Sequence, residues 1–511
     1  MSDFKPKTKM KPAAKFLISA LIVLGAFFGI RSIVTGKSDS NTSTSNTELE
    51  EGEKLVRIAV NTWGGFVGGQ YWNGGFEANR DKSRFYKDDK ILVEFVLMDD
   101  FAQSREALKA GEVDLLWATV DAYPTEAANL SGSPKIIFQT DWSRGGDAVV
   151  AKKGINSVAD LKGKKIAVSL MTPSHTFLIN MLKQGGLKYS DVDIVTTDMA
   201  PEAAALFKAG TVDAAVVWSP DDADCIDKVI GSRVLMSTKT ATHIIADALI
   251  ANDNYIKENK DVLVKIYQGW MKGSVEINES EISKQEGARI LEKGLNQPYD
   301  FCLLAINNTR LTTHGDNLDF FGINRQYNGV TGEEIFTKMS SEYTKLGHVS
   351  KILPWREVST IDIVKSASLN GKGQESETTE KFTAPTADMY DDTKVIAVSK
   401  KSASINFSIG SHGLDDEARY IVETEFLDIA KSNMKARIRV NGNTDNTGNY
   451  NSNVNLSKMR AQSVVDYLVN TYGFNRNRFI VVGNGPKHAI SDGVSGASEQ
   501  YRRTDFELIV E

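Results

Sequence analysis

Cysteine is almost missing from this chain: 511 residues contain only Cys225 and Cys302. That excludes a disulfide-stapled scaffold, and no CxxC pair exists to hold zinc or do redox work. A bond between the two and a pair of buried free thiols both remain open. An excess of positive charge is missing too, since 60 Lys and Arg stand against 66 Asp and Glu, a net charge of −6. With no basic patch interleaved with aromatics, nucleic acid is not expected as a partner. Catalytic signatures are also missing: there is no GxSxG elbow, no HExxH, no Walker-type loop and no Cys–His pair in recognisable context. No catalytic residue, metal ligand or cofactor is assigned, and the chain is not expected to be an enzyme.

A long uninterrupted apolar run is the next thing lacking. Lys5, Lys7, Lys9, Lys11 and Lys15 precede an apolar stretch from Phe16 to Ile30, which resumes after Arg31-Ser32 with Ile33 and Val34. Crossing a bilayer takes about 20 residues, so the segment spans only if Arg31 snorkels to the interface. The lysines then sit on the cytoplasmic side, and the rest of the chain lies in the periplasm. A cleaved signal peptide is the competing reading. No small-x-small site follows the run and no cysteine stands there to carry a lipid, which favours an uncleaved, single-pass inner-membrane anchor.

The length predicts two or three domains. Residues 1–36 read as cytoplasmic tail and anchor, and 37–53 as a polar tether rich in Ser, Thr, Asn and Glu. Residues 54–364 form a central region, 365–393 a second polar linker, and 394–511 a C-terminal domain.

The central region alternates short apolar strands with helical segments, the signature of an α/β domain with largely parallel sheets. ALKAGEVDLLW, from Ala107, is echoed by LFKAGTVDAAVVW about 100 residues later. Each copy reads as helix end, glycine C-cap, tight turn and strand, so the echo predicts two lobes built alike, with a cleft between them. NTWGGF, DWSRGGDAVVAKKGINSVADLKGKKIAVS, TPSHTFLINMLKQGGL, FKAGTVDAAVVWSPDDA and IIADALIA resemble periplasmic solute-binding proteins that serve nitrate, taurine, alkanesulfonate and thiamine-precursor transporters. The resemblance implies two hinged lobes closing over a small solute, with crossovers near Asp141 to Asp147 and His243 to Ala251. The same superfamily includes a pyrimidine-forming enzyme, whose cysteine-rich motif is absent here.

Strand ends and helix starts supply the cleft candidates. They are Thr62 and Trp63 after the first strand, Asp121 after the first echo, and Ser143, Arg144 and Asp147 at the crossover. Thr172, Ser174 and His175 begin a helix whose free N–H groups favour an anion. Trp218, Asp221 and Asp222 follow the second echo. Each has a structural alternative, such as a plain N-cap for Ser174. The ligand's charge stays open: Arg144 and the helix start suit a sulfonate, whereas the aspartates suit an amine or zwitterion.

The C-terminal domain carries the most specific stretch, TDNTGNYNSNVNLSKMRAQSVVDYL from Thr444. Alternation over Ala436 to Val440 predicts a strand ending near Asp445. A helix is expected from about Leu456, with Arg460 on the stripe of Leu456, Val464 and Leu468. A buried arginine needs a partner, and Asp445 with Arg460 reads either as a structural salt bridge or as a clamp for a zwitterion. Asp445, Gly448, Asn453, Leu456, Ser457, Arg460 and Ala461 resemble the core of the OmpA-like family, and Arg502 and Arg503 its closing NRR, with Tyr501 replacing the asparagine. The resemblance implies a βαβαββ-type α+β sandwich that binds peptidoglycan. Asp445 and Arg460 would hold the diaminopimelate of the stem peptide, with Thr444 and Asn453 nearby.

The chain therefore reads as an α/β, two-lobed periplasmic-binding-protein fold plus an OmpA-like sandwich behind an N-terminal transmembrane helix. The function expected is a membrane-anchored, wall-tethered binding protein that captures a small solute for a transporter permease, another membrane complex or a signalling partner. The alternative is a structural envelope tether or stator-like component. An ion-driven stator needs an acidic residue in its membrane helix, and Phe16 to Val34 contains none.

Overall fold

In the first sheet, the hydrogen-bonded order puts the strand that leaves the lobe beside the strand that returns to it. The computed structural model describes residues 48–377, 395–405, 407 and 410–509. The expected anchor at 16–34 and most of the second linker lie outside the described residues. Among the described residues no helix is long and apolar enough to cross a membrane.

The first sheet contains β1 (Lys54–Val60), β2 (Ile91–Leu97), β3 (Leu115–Thr119), β4 (Lys135–Ser143), β10 (Ala246–Ala251) and β11 (Thr309–Leu311), in the order β11-β4-β10-β3-β1-β2. The second contains β5 (Asp147–Ala151), β6 (Lys165–Ser169), β7 (Asp193–Thr197), β8 (Ala214–Trp218) and β9 (Arg233–Ser237), in the order β7-β6-β8-β5-β9. Only β1, β2 and β3 run parallel in the first sheet, and only β6, β7 and β8 in the second. The remaining pairs are antiparallel. The expectation of largely parallel sheets therefore needs correction. The strands next to the two crossovers turn back on their neighbours, which makes each sheet mixed.

The chain leaves the first sheet through Arg144, Gly145 and Gly146 and returns through residues 238–245. Strands β1, β3, β4 and β10 are near-continuous apolar runs because helices cover both faces. Helix α1 (Pro173–Gln184) packs on the second sheet. Helix α2 (Lys260–Glu279) buries Trp270 and Tyr267 completely against the first. Helix α3 (Gly332–Lys345), held at its start by a Thr331–Glu334 capping box, buries Ile335, Phe336, Met339 and Tyr343 in the same core.

The sequence echo is a structural repeat. Gly111 and Gly210 both adopt positive φ, +73° and +77°, and end equivalent helices. Three residues later Asp114 Oδ2 accepts the Arg57 N–H at 2.8 Å, and Asp213 Oδ2 accepts the Lys165 N–H at 2.9 Å. Each aspartate thus ties its own strand to the neighbouring parallel one in its lobe. Cys225 and Cys302 are buried free thiols in two separate apolar clusters.

The C-terminal sheet contains β12 (Ser399–Ala403), β13 (Arg437–Asn443), β14 (Phe479–Gly485) and β15 (Thr504–Ile509), in the order β12-β15-β13-β14. Helix α4 (Tyr450–Tyr472) covers one face. With the helical stretch 416–432 between β12 and β13, the order is βαβαββ. Helix α4 starts six residues before the expected Leu456, because Asn449 caps it by accepting the Ser452 N–H at 3.1 Å. Its buried stripe runs through Ser457, Ala461, Val464, Val465 and Leu468. Arg460 lies on the flank of that stripe, half-buried, and not within it. Steps of four residues drift about 40° each around a helix of 3.6 residues per turn, which is why the expected stripe was displaced.

Candidate functional site

Four carboxyl groups are buried where the two lobes meet. In the antiparallel pairing of β10 with β4, Asp247 stands directly opposite Asp141. On its other side Asp247 pairs with Thr119, two residues before Asp121. Asp147 opens β5 opposite Trp218. All four carboxyl residues are at most 6% exposed. Like charges placed opposite each other destabilise a sheet unless a proton or a cation intervenes.

The donors that reach these groups are neutral. Trp63 Nε1 donates to Asp141 Oδ2 at 3.2 Å, and Thr140 Oγ1 donates to its other oxygen at 3.3 Å. Ser143 Oγ donates to Asp147 Oδ2 at 2.8 Å. Both oxygens of Asp121 and Oδ1 of Asp147 are buried without a hydrogen-bond partner. Burial pushes Asp121, Asp141 and Asp147 up to about 7. It also holds Asp247 well above the usual carboxylate range, with the charge of Asp141 adding to the effect.

Several predicted residues gather here. The Trp63 indole reaches from the first lobe to the crossover, where a Cβ on Gly146 would lie 2.2 Å from it. Trp218 lies beside Asp147. Thr176 on the first turn of α1 is within reach of Asp121. Its hydroxyl pairs with Tyr343 of α3 at 2.8 Å, a contact between the lobes. Ser174 Oγ is buried with no partner.

Others are engaged elsewhere. Thr62 donates its N–H and hydroxyl to Asp99 at 2.6 and 2.8 Å, locking two loops together. Thr172 donates its hydroxyl to the Ser169 carbonyl at 2.9 Å. His175 Nδ1 accepts the Met171 N–H at 3.2 Å, so Nε2 carries the proton toward Tyr189 Oη at 2.9 Å. Burial lowers its pKa to about 3, which keeps the ring neutral and structural. Asp221 and Asp222 are half-buried at the start of the helix Asp221–Lys228, where burial raises the Asp221 pKa and the nearby charges are Lys208, Asp224, Asp222 and Lys228.

Arg144 was the cation offered to an anionic ligand. Its guanidinium pairs with Glu377 at 2.6 Å and donates to the Thr242 carbonyl at 3.1 Å. Glu377 belongs to a strap laid along Thr313 to Asp316, where Gly315 N–H donates to Gln374 O at 2.8 Å and Glu377 N–H to Asp316 Oδ1 at 2.8 Å. Asp141, Asp247 and Glu377 are the residues that sequence reasoning missed. A carboxylate inside the apolar runs IIFQTDWS and IIADALIA was the available signal for the first two.

In the C-terminal domain, Asp445 is 4% exposed and accepts from Thr447 Oγ1, from Ser498 N–H at 3.3 Å and from Arg502 Nη1 at 3.3 Å. Arg460 donates to the Ser411 carbonyl at 3.1 Å, and its guanidinium lies 4.8 Å from the Phe407 ring. Burial and the Arg502 charge lower its pKa, and the Asp445 charge opposes them. The salt bridge therefore runs from Asp445 to Arg502. Among the described residues no carboxylate lies within ion-pair distance of Arg460. Asn453 donates to the Thr447 carbonyl at 2.6 Å and fixes the loop, and Thr444 Oγ1 is buried without a partner. Arg503 turns away to Asp505 at 3.0 Å, and Tyr501 Oη donates to Asp492 at 2.8 Å.

Residues 406–503 match the model of the OmpA family, and residues 81–279 match the family described as NMT1/THI5 like. One chain joins these two domains. The taurine-binding periplasmic protein of Escherichia coli K12 is 31% identical over 137 residues, 27% of this chain and 42% of that protein. A putative aliphatic sulfonates-binding protein of the same organism is 33% identical over 122 residues, 23% of this chain and 37% of that protein. The chain thus matches less than half the length of either relative. Among solved structures, the periplasmic aliphatic sulphonate binding protein of Escherichia coli is 19% identical with a TM-score of 0.48, covering 61% of this chain and 99% of that one.

The OmpA domain docks on both sides of the hinge. It meets the second lobe through Val158 N–H to Val398 O at 2.8 Å and Ser399 Oγ to Gln184 O at 2.8 Å. His243 N–H of the return crossover donates to Ser432 O at 3.1 Å. On the first-lobe side, α3 places Lys338 2.8 Å from Asp428 and Glu334 2.9 Å from Lys431. A cavity of about 790 Å³ opens at this junction, and four of its lining charges, Lys338 with Asp428 and Lys431 with Glu334, are paired with one another.

Proposed function

We propose that this protein is a peptidoglycan-tethered periplasmic binding protein, anchored in the inner membrane through residues 16–34. Its NMT1/THI5-like lobes would capture a small solute for a transporter permease or a signalling partner. The observation that carries the reading is the cleft itself. Two lobes built on the same repeat enclose buried polar groups, among them Asp121 and Ser174, whose oxygens have no partner. Such unsatisfied groups are costly in a fold and are typical of ligand sites. The taurine and sulfonate relatives support a small organic solute. No catalytic role is proposed for any residue.

The tether reading rests on Arg460, half-buried beside Asp445 yet without a carboxylate of its own among the described residues. A free carboxylate of a stem peptide fits that guanidinium, and Asp445 suits the neighbouring amine. The test uses full-length protein in mild detergent. It should sediment with diaminopimelate-type sacculi and shift its melting temperature with a member of a solute panel. Arg460→Ala and Asp445→Ala should abolish sedimentation while the solute shift persists. Unchanged sedimentation of both variants would refute the clamp. The structural-tether alternative is favoured by the docking of the OmpA domain across both lobes, and it predicts no solute shift at all.

A further inference from the structure

The following inference rests on the cleft being a solute site, and it names the chemistry of the ligand. We propose that the solute is an organic cation bearing one or more ammonium groups, received by Asp121, Asp141, Asp147 and Asp247.

Four observations carry it. First, strand register forces the arrangement: Asp247 stands opposite Asp141 on β4, Asp121 follows the β3 partner of Asp247, and Asp147 begins the next strand after the crossover. Second, among the described residues no ion pair reaches any of the four: their side-chain partners are Trp63, Thr140, Ser143, Thr176, Trp218 and, between Asp141 and Asp247, each other. Third, three buried oxygens on Asp121 and Asp147 have no donor in good hydrogen-bond geometry, with Thr176 and Trp218 standing near them. Fourth, Arg144 at the crossover, the residue best placed to receive a sulfonate, is held by Glu377 of the same chain at 2.6 Å.

A buried site with four carboxyl groups opposes an anion strongly, because opposition between like charges grows as the dielectric falls. Shared protons alone would relieve part of the repulsion, but they leave the Asp121 oxygens without a well-placed donor. An ammonium supplies three N–H donors and the missing charge together. A metal ion fits less well. Among the described residues no three His, Cys, Asp or Glu side chains are grouped to hold one. A cation of some length can reach several of them. Trp63 and Trp218 stand beside Asp141 and Asp147 with their indole N–H groups toward the carboxylates.

The experiment is isothermal titration of the full-length protein in mild detergent with four probes: ethylamine, putrescine, taurine and ethanesulfonate. Ethylamine and ethanesulfonate share a two-carbon stem and differ in the sign of the charge. The amines are expected to bind, and ethanesulfonate to bind at least tenfold more weakly or not at all. Asp121→Asn and Asp247→Asn should each weaken putrescine at least tenfold, with melting curves showing that both variants fold. Binding of ethanesulfonate or taurine without binding of either amine overturns the cation assignment and leaves solute capture standing. Silence from all four probes overturns both.

Discussion

Replacing Asp247 by Asn tests the carboxylate cluster without a ligand. The side chain keeps its shape and loses its charge, and Asp141 loses the neighbour directly opposite it. Burial lifts Asp141 from 3.8 to about 7. A carboxyl whose pKa is raised on folding stabilises the fold fully below its unfolded value. That contribution is lost as pH rises through the folded value. At about 1.4 kcal/mol per unit, a lone group shifted this far loses roughly 4 kcal/mol over the whole range. About 2 kcal/mol of that falls between pH 5 and 7. Ligand-free protein should therefore be less stable at pH 8 than at pH 5. Asp247→Asn should shrink the difference by about 2–4 kcal/mol, since it removes one titrating carboxyl held well above its usual range. The assay is urea unfolding followed by tryptophan fluorescence at both pH values, for wild type and variant. Titrations elsewhere in the chain are common to both proteins and cancel in the comparison. An equal loss of stability in the variant at both pH values would refute the reasoning, because it would make Asp247 an ordinary hydrogen-bond acceptor.

Four further outcomes follow from the geometry. Asp114→Ala and Asp213→Ala each remove the acceptor of a strand N–H, so both should cost about 1–2 kcal/mol in urea unfolding; a large difference would mean the repeat is not energetically equivalent. Glu377→Gln should destabilise the protein by about 2 kcal/mol, a buried-pair loss reduced by the partial exposure of the glutamate, and should open the strap at 371–377 to limited proteolysis. Arg503→Ala should lower the melting temperature through its lost contact with Asp505 yet leave sedimentation with sacculi intact; lost sedimentation in a well-folded variant would put Arg503 in the wall site. A double-mutant cycle between Lys338 and Asp428 should give a coupling of about 0.5–1 kcal/mol, and zero coupling would mean the docking contact is not maintained in solution.

What could be read from the sequence was local. The KAGxVD echo was legible because glycine C-cap, turn and strand occupy consecutive residues, and the structure adds what the aspartate is for: one N–H of a neighbouring strand in each lobe. The TDNTG to LSKMRA stretch was legible for the same reason. The position of Arg460 was displaced because a four-residue repeat and a 3.6-residue helix diverge over three turns. The carboxylate cluster was illegible as a cluster because it depends on register between strands about 100 residues apart. Asp141 and Asp247 meet only because the chain leaves the first lobe on β4 and comes back beside it on β10. Glu377 escaped for a related reason, since it reaches Arg144 across 233 residues of sequence. Arg144 therefore looked like a free cation at a crossover, and with it went the case for an anionic ligand.

The docking of the OmpA domain bears on how the two halves of the chain work together. Its contacts fall on Gln184 of the second lobe, on His243 in the return crossover and on Lys338 of α3, which belongs to the first lobe. Tyr343 of that same helix touches Thr176 at the start of α1. A hinge opening that separates α3 from α1 cannot keep Gln184 and Lys338 at their present spacing, so it must break contacts on at least one side of the OmpA domain. Docking therefore favours the closed lobes by the free energy of the contacts that opening would break. Linkage makes the effect mutual: whatever a solute adds to closure it adds to docking, and whatever docking adds it returns to solute retention. About 20 residues of sequence lie between the strap and β12, so docking is not imposed by a short tether. It rests on the interface itself, on two exposed ion pairs and a few backbone hydrogen bonds around a shared apolar cluster.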